Sequence, residues 1–431
     1  MPAPPTNHGS TTAHPGASPV ASTQYQGAMA FFLLRKREGS DVRSRGPLAD
    51  RDFLLLLAAT VGVFTNYAPL LSVVPLWAAV GGSDHSGVGT TTAVTMATTV
   101  GIQVCMSRLL RWWGPYRLFV AGALLLGVPT FGYPLSADLG WILAVCAVRG
   151  LGFGIVTVVG SALVAELTTP DQRGRAVGWH GVAVGIPQIG FLPLGVWAAD
   201  TFGFPAVFLV TGLSSSLAAL LVGGMTRRST AYGSRPEADQ PSSRRVPLRP
   251  LTAPCLVMLV SACALGGATA FLPLAVDTVI VSASLFALSA AMTTGRWCAG
   301  AWSDRYGAGR LLVPGAILCA AGMAGLAVAV AAFPVLAVAA AALYGFGFGT
   351  VQNDAMVVMF HRAGPQNHGT ASAAWNVSFD AGTGAGSVSA GLIAQAVSIP
   401  GAYGAAAFLI TAAVPFAWRD AGRRRGSAPA R

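Results

Sequence analysis

The chain has 431 residues, of which 53% are hydrophobic and only 10% are charged. Because soluble domains carry about 25% charged residues, this composition excludes an ordinary soluble globular protein. The net charge of +11 comes mainly from arginines between apolar runs rather than from one basic cluster. That pattern disfavours a nucleic-acid partner, and we expect an integral membrane protein in a lipid bilayer.

The first 50 residues are rich in proline, serine, threonine and alanine and end in a basic run. This composition predicts a disordered cytoplasmic N-terminal tail over residues 1–50. Both Met1 and Met29 are compatible with the start of translation.

Twelve apolar segments follow, each about 18–27 residues long, which is enough for a helix to cross a hydrocarbon core of ~30 Å. Their lengths and the lack of alternation exclude strands. The predicted fold class is all-α integral membrane, with 12 transmembrane helices in two pseudo-symmetric six-helix halves. The predicted spans are 53–78, 88–110, 117–136, 140–166, 174–198, 203–224, 254–276, 280–302, 311–331, 334–360, 370–394 and 401–418.

An internal repeat supports the division into halves. The stretch Arg149–Gly174 aligns without a gap with Tyr344–Gly369, and glycines and a proline coincide at matching positions. Such duplication is common in secondary transporters. The predicted domains are an N-terminal half, a linker loop rich in Arg, Ser and Pro, a C-terminal half and a cytoplasmic tail, over residues 51–226, 227–252, 253–420 and 421–431.

The distribution of cations predicts the topology. With the N-terminus inside, the outer loops contain no lysine or arginine, and every cation except Arg149 and Arg296 lies in an inner loop, in a tail or at an inner helix end. This is the positive-inside pattern. We expect a multi-pass protein of the plasma membrane with both termini cytoplasmic.

The loop between the eighth and ninth segments reads GAWSDRYGAGR over Gly300–Arg310. It resembles the G-x-x-x-D-R-x-G-x-x-R signature of the major facilitator superfamily, a family of transporters whose six-helix halves rock about a central cavity. The matching first-half loop, Ser107–Arg117, has Arg111 where the family has its acidic residue. We expect the second loop to form a conformational latch with an arginine two turns upstream; its members are Gly300, Asp304, Arg305, Gly307, Arg310 and Arg296.

Two further stretches strengthen the resemblance. The run Arg149–Gly152 is similar to the R-G-x-G pattern of proton-coupled exporters of the superfamily, and Pro170–Gly174 looks like the P-x-x-R-G loop of the same proteins. The resemblance spans roughly residues 51–420. It implies proton-coupled export of drugs or metabolites, with a small molecule and protons as partners, and we expect a monomer.

Charged residues within the spans are candidates for coupling, because each costs about 2.5–3.5 kcal/mol on insertion scales. Asp380 and Asp354 can carry a proton or recognise a cation as access alternates. Arg149 can bind an anionic substrate group or tune a carboxylate. The alternative for both carboxylates is a structural ion pair with Arg149 or Arg296.

Other polar or aromatic residues within the spans are candidates for the substrate cavity: Asn66, Tyr67, Gln103, Gln188, Gln352, Asn353, Trp375 and Asn376. We expect His180, near the cytoplasmic end of its segment, to be solvated. The six cysteines form no C-x-x-C pair, so neither a metal site nor a disulfide framework is expected, and no cofactor is expected.

The leading hypothesis is proton-coupled efflux of a small, partly apolar compound such as a drug or secondary metabolite. An uptake symporter for a sugar or organic acid, and a non-transporting receptor, are the alternatives. An enzyme is disfavoured, because no nucleophile, metal cluster or phosphate cradle occurs at a usable spacing. Substrate, direction, coupling ion and oligomeric state stay open.

Overall fold

The computed structural model describes residues 47–169, 172–225, 249–307, 309–364 and 367–425. The chain divides into two compact units, residues 1–50 and 51–431. In the first unit only a short 3-10 turn, Pro47–Ala49, is described. Most of the predicted tails and linker, and the question of Met1 or Met29, lie outside the described residues.

The second unit consists of twelve long helical segments over its described ranges. The second continues beyond a 63° bend as Met106–Trp113, and the third continues as the 3-10 helix Val128–Leu135. In chain order, α1 to α12 are Arg51–Val80, His85–Val104, Pro115–Gly127, Leu139–Leu167, Arg173–Phe202, Phe204–Gly223, Thr252–Ala275, Thr278–Tyr306, Leu312–Ala332, Leu336–Ala363, His368–Ala396 and Ile399–Arg425.

Most of these helices can cross a membrane by length and apolarity alone. Among the described residues nine meet that test, and the bent second segment makes ten. The two that do not, α10 and α11, are long enough but carry buried polar groups, including Gln352, Asp354 and Asp380. A membrane span of lower apolarity must cover its polar groups with neighbouring helices.

The two sets of six helices pack in the same pattern. In the first set α1 packs against α5 and α6, and α4 packs against α2 and α3. In the second set α7 packs against α11 and α12, and α10 packs against α8 and α9. Across the sets, α2 meets α11 and α5 meets α8. The predicted layout of twelve helices in two pseudo-symmetric halves is confirmed.

The repeated glycines explain why α4 and α10 lie so close to their neighbours. A methyl group added at Gly150 would lie 2.2 Å from Thr95 O of α2, and one at Gly345 would lie 2.2 Å from Leu288 O of α8. Helices in lipid associate through such close contacts, since lipid is as apolar as their side chains.

The next repeated glycine serves the opposite helix face. A methyl group at Gly152 would lie 2.6 Å from Gly122 O of α3, and one at Gly347 would lie 2.7 Å from Gly315 O of α9. The repeat therefore encodes the same two helix contacts in each half.

Asp354 of α10 holds the loop that precedes α9. Its Oδ1 accepts hydrogen bonds from Gly309 N at 2.9 Å and Ser303 Oγ at 3.4 Å, and its Oδ2 accepts one from Leu311 N at 3.0 Å. A carboxylate at a helix N-terminus also gains from the helix dipole. The structure thus gives Asp354, predicted as a proton carrier, the position of a structural anchor.

We expect Gly345→Ala to destabilise the protein by about 1–3 kcal/mol, the usual cost of overpacking a close contact. The measurement is the thermal unfolding midpoint of the purified protein in detergent. Gly404→Ala is the matched control in the same half, because a methyl group there meets no atom within 4 Å. Equal midpoints for the two variants would contradict the close-contact account.

We expect Asp354→Ala to cost about 1.5–3 kcal/mol, the usual loss when a hydrogen bond to a charged group is removed. Thermal unfolding measures this loss. The neighbouring Asn353→Ala is the control, because Asn353 Nδ2 is buried without a hydrogen-bond partner. Loss of proton-driven transport in Asp354→Asn, at an unchanged unfolding midpoint, would instead support the predicted role of Asp354 as a proton carrier.

Candidate functional site

A cavity of about 380 Å³ lies between the two six-helix halves. Its walls come from α1, α3, α4 and α5 on one side and from α7, α8, α10 and α11 on the other. The lining residues extend from the middle of these helices toward their predicted cytoplasmic ends. This is the position expected for the substrate site of a two-half transporter.

The halves are in contact at the predicted outer end. Ser86 N of α2 donates to Gln395 Oε1 of α11 at 3.2 Å, and a methyl group at Gly89 would lie 2.3 Å from Ser387 O. Because the lining residues lie between the middle of the helices and their opposite ends, this contact separates the cavity from the predicted outer face.

Aromatic rings form much of the cavity wall. Tyr67 of α1 stacks on Phe153 of α4, with 3.7 Å between ring centroids and 5° between planes. On the opposite wall, Trp375 and Phe379 of α11 lie parallel, with centroids 5.9 Å apart. Phe64 also lines this space, and such walls favour an apolar or aromatic ligand body.

Asp380 of α11 is the one carboxylate among the described residues that line the cavity. It is only 4% exposed, and its Oδ2 accepts a hydrogen bond from Gln103 Nε2 of α2 at 2.9 Å. Its Oδ1 accepts no hydrogen bond from the described residues. The carboxylate therefore lies where the α2–α11 contact meets the cavity, with a single neutral partner.

Arg296 of α8 is the cation of the same cavity. Its Nε donates to Gln352 Oε1 of α10, and its Nη2 lies 3.9 Å from Met292 Sδ. Its Nη1 contacts no acceptor among the described residues. A guanidinium keeps its positive charge in proteins, so this placement differs from the prediction that Arg296 belongs to the cytoplasmic latch.

Arg149 lies outside the main cavity. Its guanidinium donates to Thr130 Oγ1 at 3.1 Å, Tyr133 OH at 3.0 Å and Asn66 Oδ1 at 3.0 Å. It lines a separate crevice of about 20 Å³ between α1 and α2, and Tyr67 lines both this crevice and the main cavity. Arg149 is therefore held by neutral groups, and Tyr67 and Leu71, which line both spaces, lie between it and the cavity that Asp380 faces.

The cavity candidates divide into three groups. Tyr67, Gln188, Trp375 and Asn376 line the main cavity. Gln103 and Gln352 act through hydrogen bonds to the two charged groups, and Asn66 belongs to the Arg149 cluster. Asn353 does not line the cavity over the described residues.

One residue of the site has surroundings that differ from the expectation. His180 lines the cavity and has a buried Nδ1 without a hydrogen-bond partner, so it is not the solvated residue expected. The spacing of residues in the sequence indicates which face of α11 lines the cavity. The cavity-facing residues of that helix recur at intervals of three and four, as one helix face requires: Ser372, Trp375, Asn376, Phe379, Asp380 and Thr383.

The latch residues are described only in part. Gly307 follows α8 with φ +89°, a backbone region that favours glycine. Arg305 is exposed and lies 5.3 Å from the Tyr306 ring centroid, and Arg310 is exposed. A methyl group added at Gly300 would lie 3.8 Å from Asn353 Nδ2. The Asp304 side chain is outside the described residues, so its predicted role stays a prediction.

Comparisons with known proteins agree with this architecture. The chain resembles the nucleoside transporter NupG at 11% identity with a TM-score of 0.71, over 86% of this chain and 99% of that one. It resembles a D-xylose–proton symporter at 15% identity with a TM-score of 0.68, over 85% and 97% of the two chains. At these identities the likeness shows the fold alone.

Curated relatives match over shorter stretches. The riboflavin transporter RibZ of Clostridioides difficile (strain 630) is 24% identical over 97 residues, which are 22% of this chain and 21% of that protein. A multidrug resistance protein B homolog of Mycobacterium tuberculosis (strain ATCC 25618 / H37Rv) is 26% identical over 144 residues, 31% and 27% of the two chains. The match thus spans about a quarter of either relative.

A family profile covers most of the chain. The profile described as Major Facilitator Superfamily matches residues 53–387, which include the first half, the second half as far as α11, and the cavity-lining residues of α11 up to Thr383. This family indicates a multi-pass membrane transporter rather than an enzyme. The chain belongs to the major facilitator superfamily.

Proposed function

We propose that the chain is a proton-coupled exporter that moves a small, partly apolar compound by alternating access. The observation that carries this proposal is the position of Asp380, which faces the central cavity and bonds across the α2–α11 contact to Gln103. We place it in the plasma membrane as a monomer with both termini cytoplasmic, in keeping with the cation distribution.

Asp380 can couple proton and substrate because an unpaired carboxylate is costly in a closed cavity. A charge at the bilayer centre costs about 2.5–3.5 kcal/mol on insertion scales. A proton on Asp380 removes that cost, and so does a substrate group that pairs with the carboxylate. Either occupant lets the halves close over the cavity, whereas the empty charged state resists closure. The protein therefore exchanges a proton for a substrate molecule, because the halves do not close while the carboxylate is empty and charged.

The chemistry of the lining supports the class of substrate in this proposal. The walls are mostly apolar and aromatic, and only Gln188 and Asn376 contribute side-chain amides among the described lining residues. A sugar site needs several convergent hydrogen-bonding groups, so this surface suits a partly apolar compound better. The local similarity to a protein named for multidrug resistance points the same way. Uptake of a polar solute stays the alternative.

We expect Asp380→Asn to abolish transport driven by a pH gradient, because the amide cannot exchange a proton. The assay is flux into inside-out proteoliposomes, with and without an imposed gradient, for a fixed panel of ethidium, riboflavin, uridine and D-xylose. The matched control is Asp277→Asn, since Asp277 precedes α8 and its side chain caps no helix N–H. The control should behave as the unmodified protein.

Three results would count against the proposal. Gradient-driven flux that survives in Asp380→Asn would remove Asp380 from the coupling. Accumulation of a panel compound together with protons would reverse the direction in favour of uptake. Tight binding of a compound without flux of any kind would favour a receptor.

A further inference from the structure

The central cavity contains one positive and one negative group that do not neutralise each other. The hydrogen-bond partners of Arg296 and Asp380 among the described residues are neutral, and neither charged group contacts the other. Both line the same cavity. Buried charges are usually paired, so each of these groups lacks the partner that its burial calls for.

Each group also presents a free atom. Over the described residues, Arg296 Nη1 has no acceptor and Asp380 Oδ1 has no donor, although their neighbouring atoms are bonded. Gln352 Nε2, for comparison, is fully enclosed by protein and has no hydrogen-bond partner. Arg296 Nη1 and Asp380 Oδ1 are not enclosed in this way. The free atoms are therefore available to a ligand in the cavity.

An aromatic surface connects the neighbourhoods of the two charges. Trp375 Nε1 donates to Gln352 O at 3.1 Å, and Gln352 is the residue that binds Arg296. Trp375 lies parallel to Phe379, which precedes Asp380 in the chain. Both rings line the cavity, as do Arg296 and Asp380, so an apolar body lying on the rings shares this space with a cation and a carboxylate.

We propose that the substrate is a zwitterion with an aromatic or apolar body, whose anionic group binds Arg296 and whose cationic group binds Asp380. This inference rests on the proposed function, because it takes the cavity to be a transport site. It also explains exchange with protons. The cationic group of the substrate and a proton compete for the same carboxylate, while Arg296 holds the anionic group and rejects compounds that carry only a positive charge.

The test compares four probes that share one aromatic body. These are 3-(2-naphthyl)alanine, which is a zwitterion, 2-(2-naphthyl)ethylamine, which is a cation, 3-(2-naphthyl)propanoate, which is an anion, and the neutral 3-(2-naphthyl)propanamide. Calorimetry measures their binding to the full-length protein in lipid nanodiscs at pH 7.5. We expect the zwitterion to bind about 10- to 100-fold more tightly than either singly charged probe, the usual effect of one charge-assisted hydrogen bond.

Two variants assign the charges. Arg296→Gln should remove the advantage of the zwitterion over the amine, and Asp380→Asn should remove its advantage over the propanoate. Arg108→Gln is the control, since Arg108 is exposed and does not line the cavity, and should change neither ratio. Unchanged affinity for the neutral propanamide shows that a variant is folded.

Equal affinity for all four probes, absence of binding, or tightest binding of a singly charged probe would overturn the proposal. So would a uniform loss across the probes in Arg296→Gln. If a variant does not fold, the ranking of the four probes by the unmodified protein decides alone. The binding measurement involves no gradient, so a negative result there does not contradict proton-driven export. A negative result in the flux assay, in turn, does not change the measured preference for the zwitterion.

Discussion

The close approach of α4 and α10 to their neighbours is the constraint on which the rest of the structure depends. In lipid the hydrophobic effect does not drive helices together, so glycines that allow backbone contact decide which helices pair. In α10 the glycine run ends just before Gln352 and Asp354. Because α10 is held tightly against α8 and α9, Gln352 reaches Arg296 and Asp354 reaches the loop before α9. The polar contacts therefore depend on the glycine contacts.

The two halves use one geometry for different chemistry. Arg149 and Tyr344 occupy matching positions 195 residues apart, and so do Asn66 and Ser261. Arg149 Nη2 donates to Asn66 Oδ1 at 3.0 Å, and Tyr344 OH donates to Ser261 O at 2.8 Å. Each half thus has a hydrogen bond between its fourth and first helices, but only the first half uses a charged side chain for it. Asp380 and Arg296, by contrast, are both in the second half, so the charges that face the cavity are asymmetric.

The fold could be predicted from the sequence more completely than the site. Apolar length specifies where helices are, and the repeat specifies how the halves correspond, because both are properties of the chain alone. The sequence does not predict the 63° bend after α2, since the predicted span 88–110 contains no proline to mark it.

The roles of charged residues depend on how each helix is rotated about its axis. Gln352 and Asp354 are two positions apart, yet one faces α8 and the other faces the loop before α9. Depth in the membrane is readable from sequence position, but facing direction is not. For that reason sequence position alone marks Asp380 as a coupling candidate but does not indicate that Arg296, expected in the latch, lines the same cavity.

Tyr67 has a consequence for what a compound in the cavity can touch. With Leu71, it borders both the main cavity and the crevice beside Arg149, and its ring lies flat on Phe153. A compound in the cavity therefore meets these two side chains before it can reach the guanidinium of Arg149. A rotation of the tyrosine ring would join the two spaces and add a second arginine to the surface that a substrate contacts.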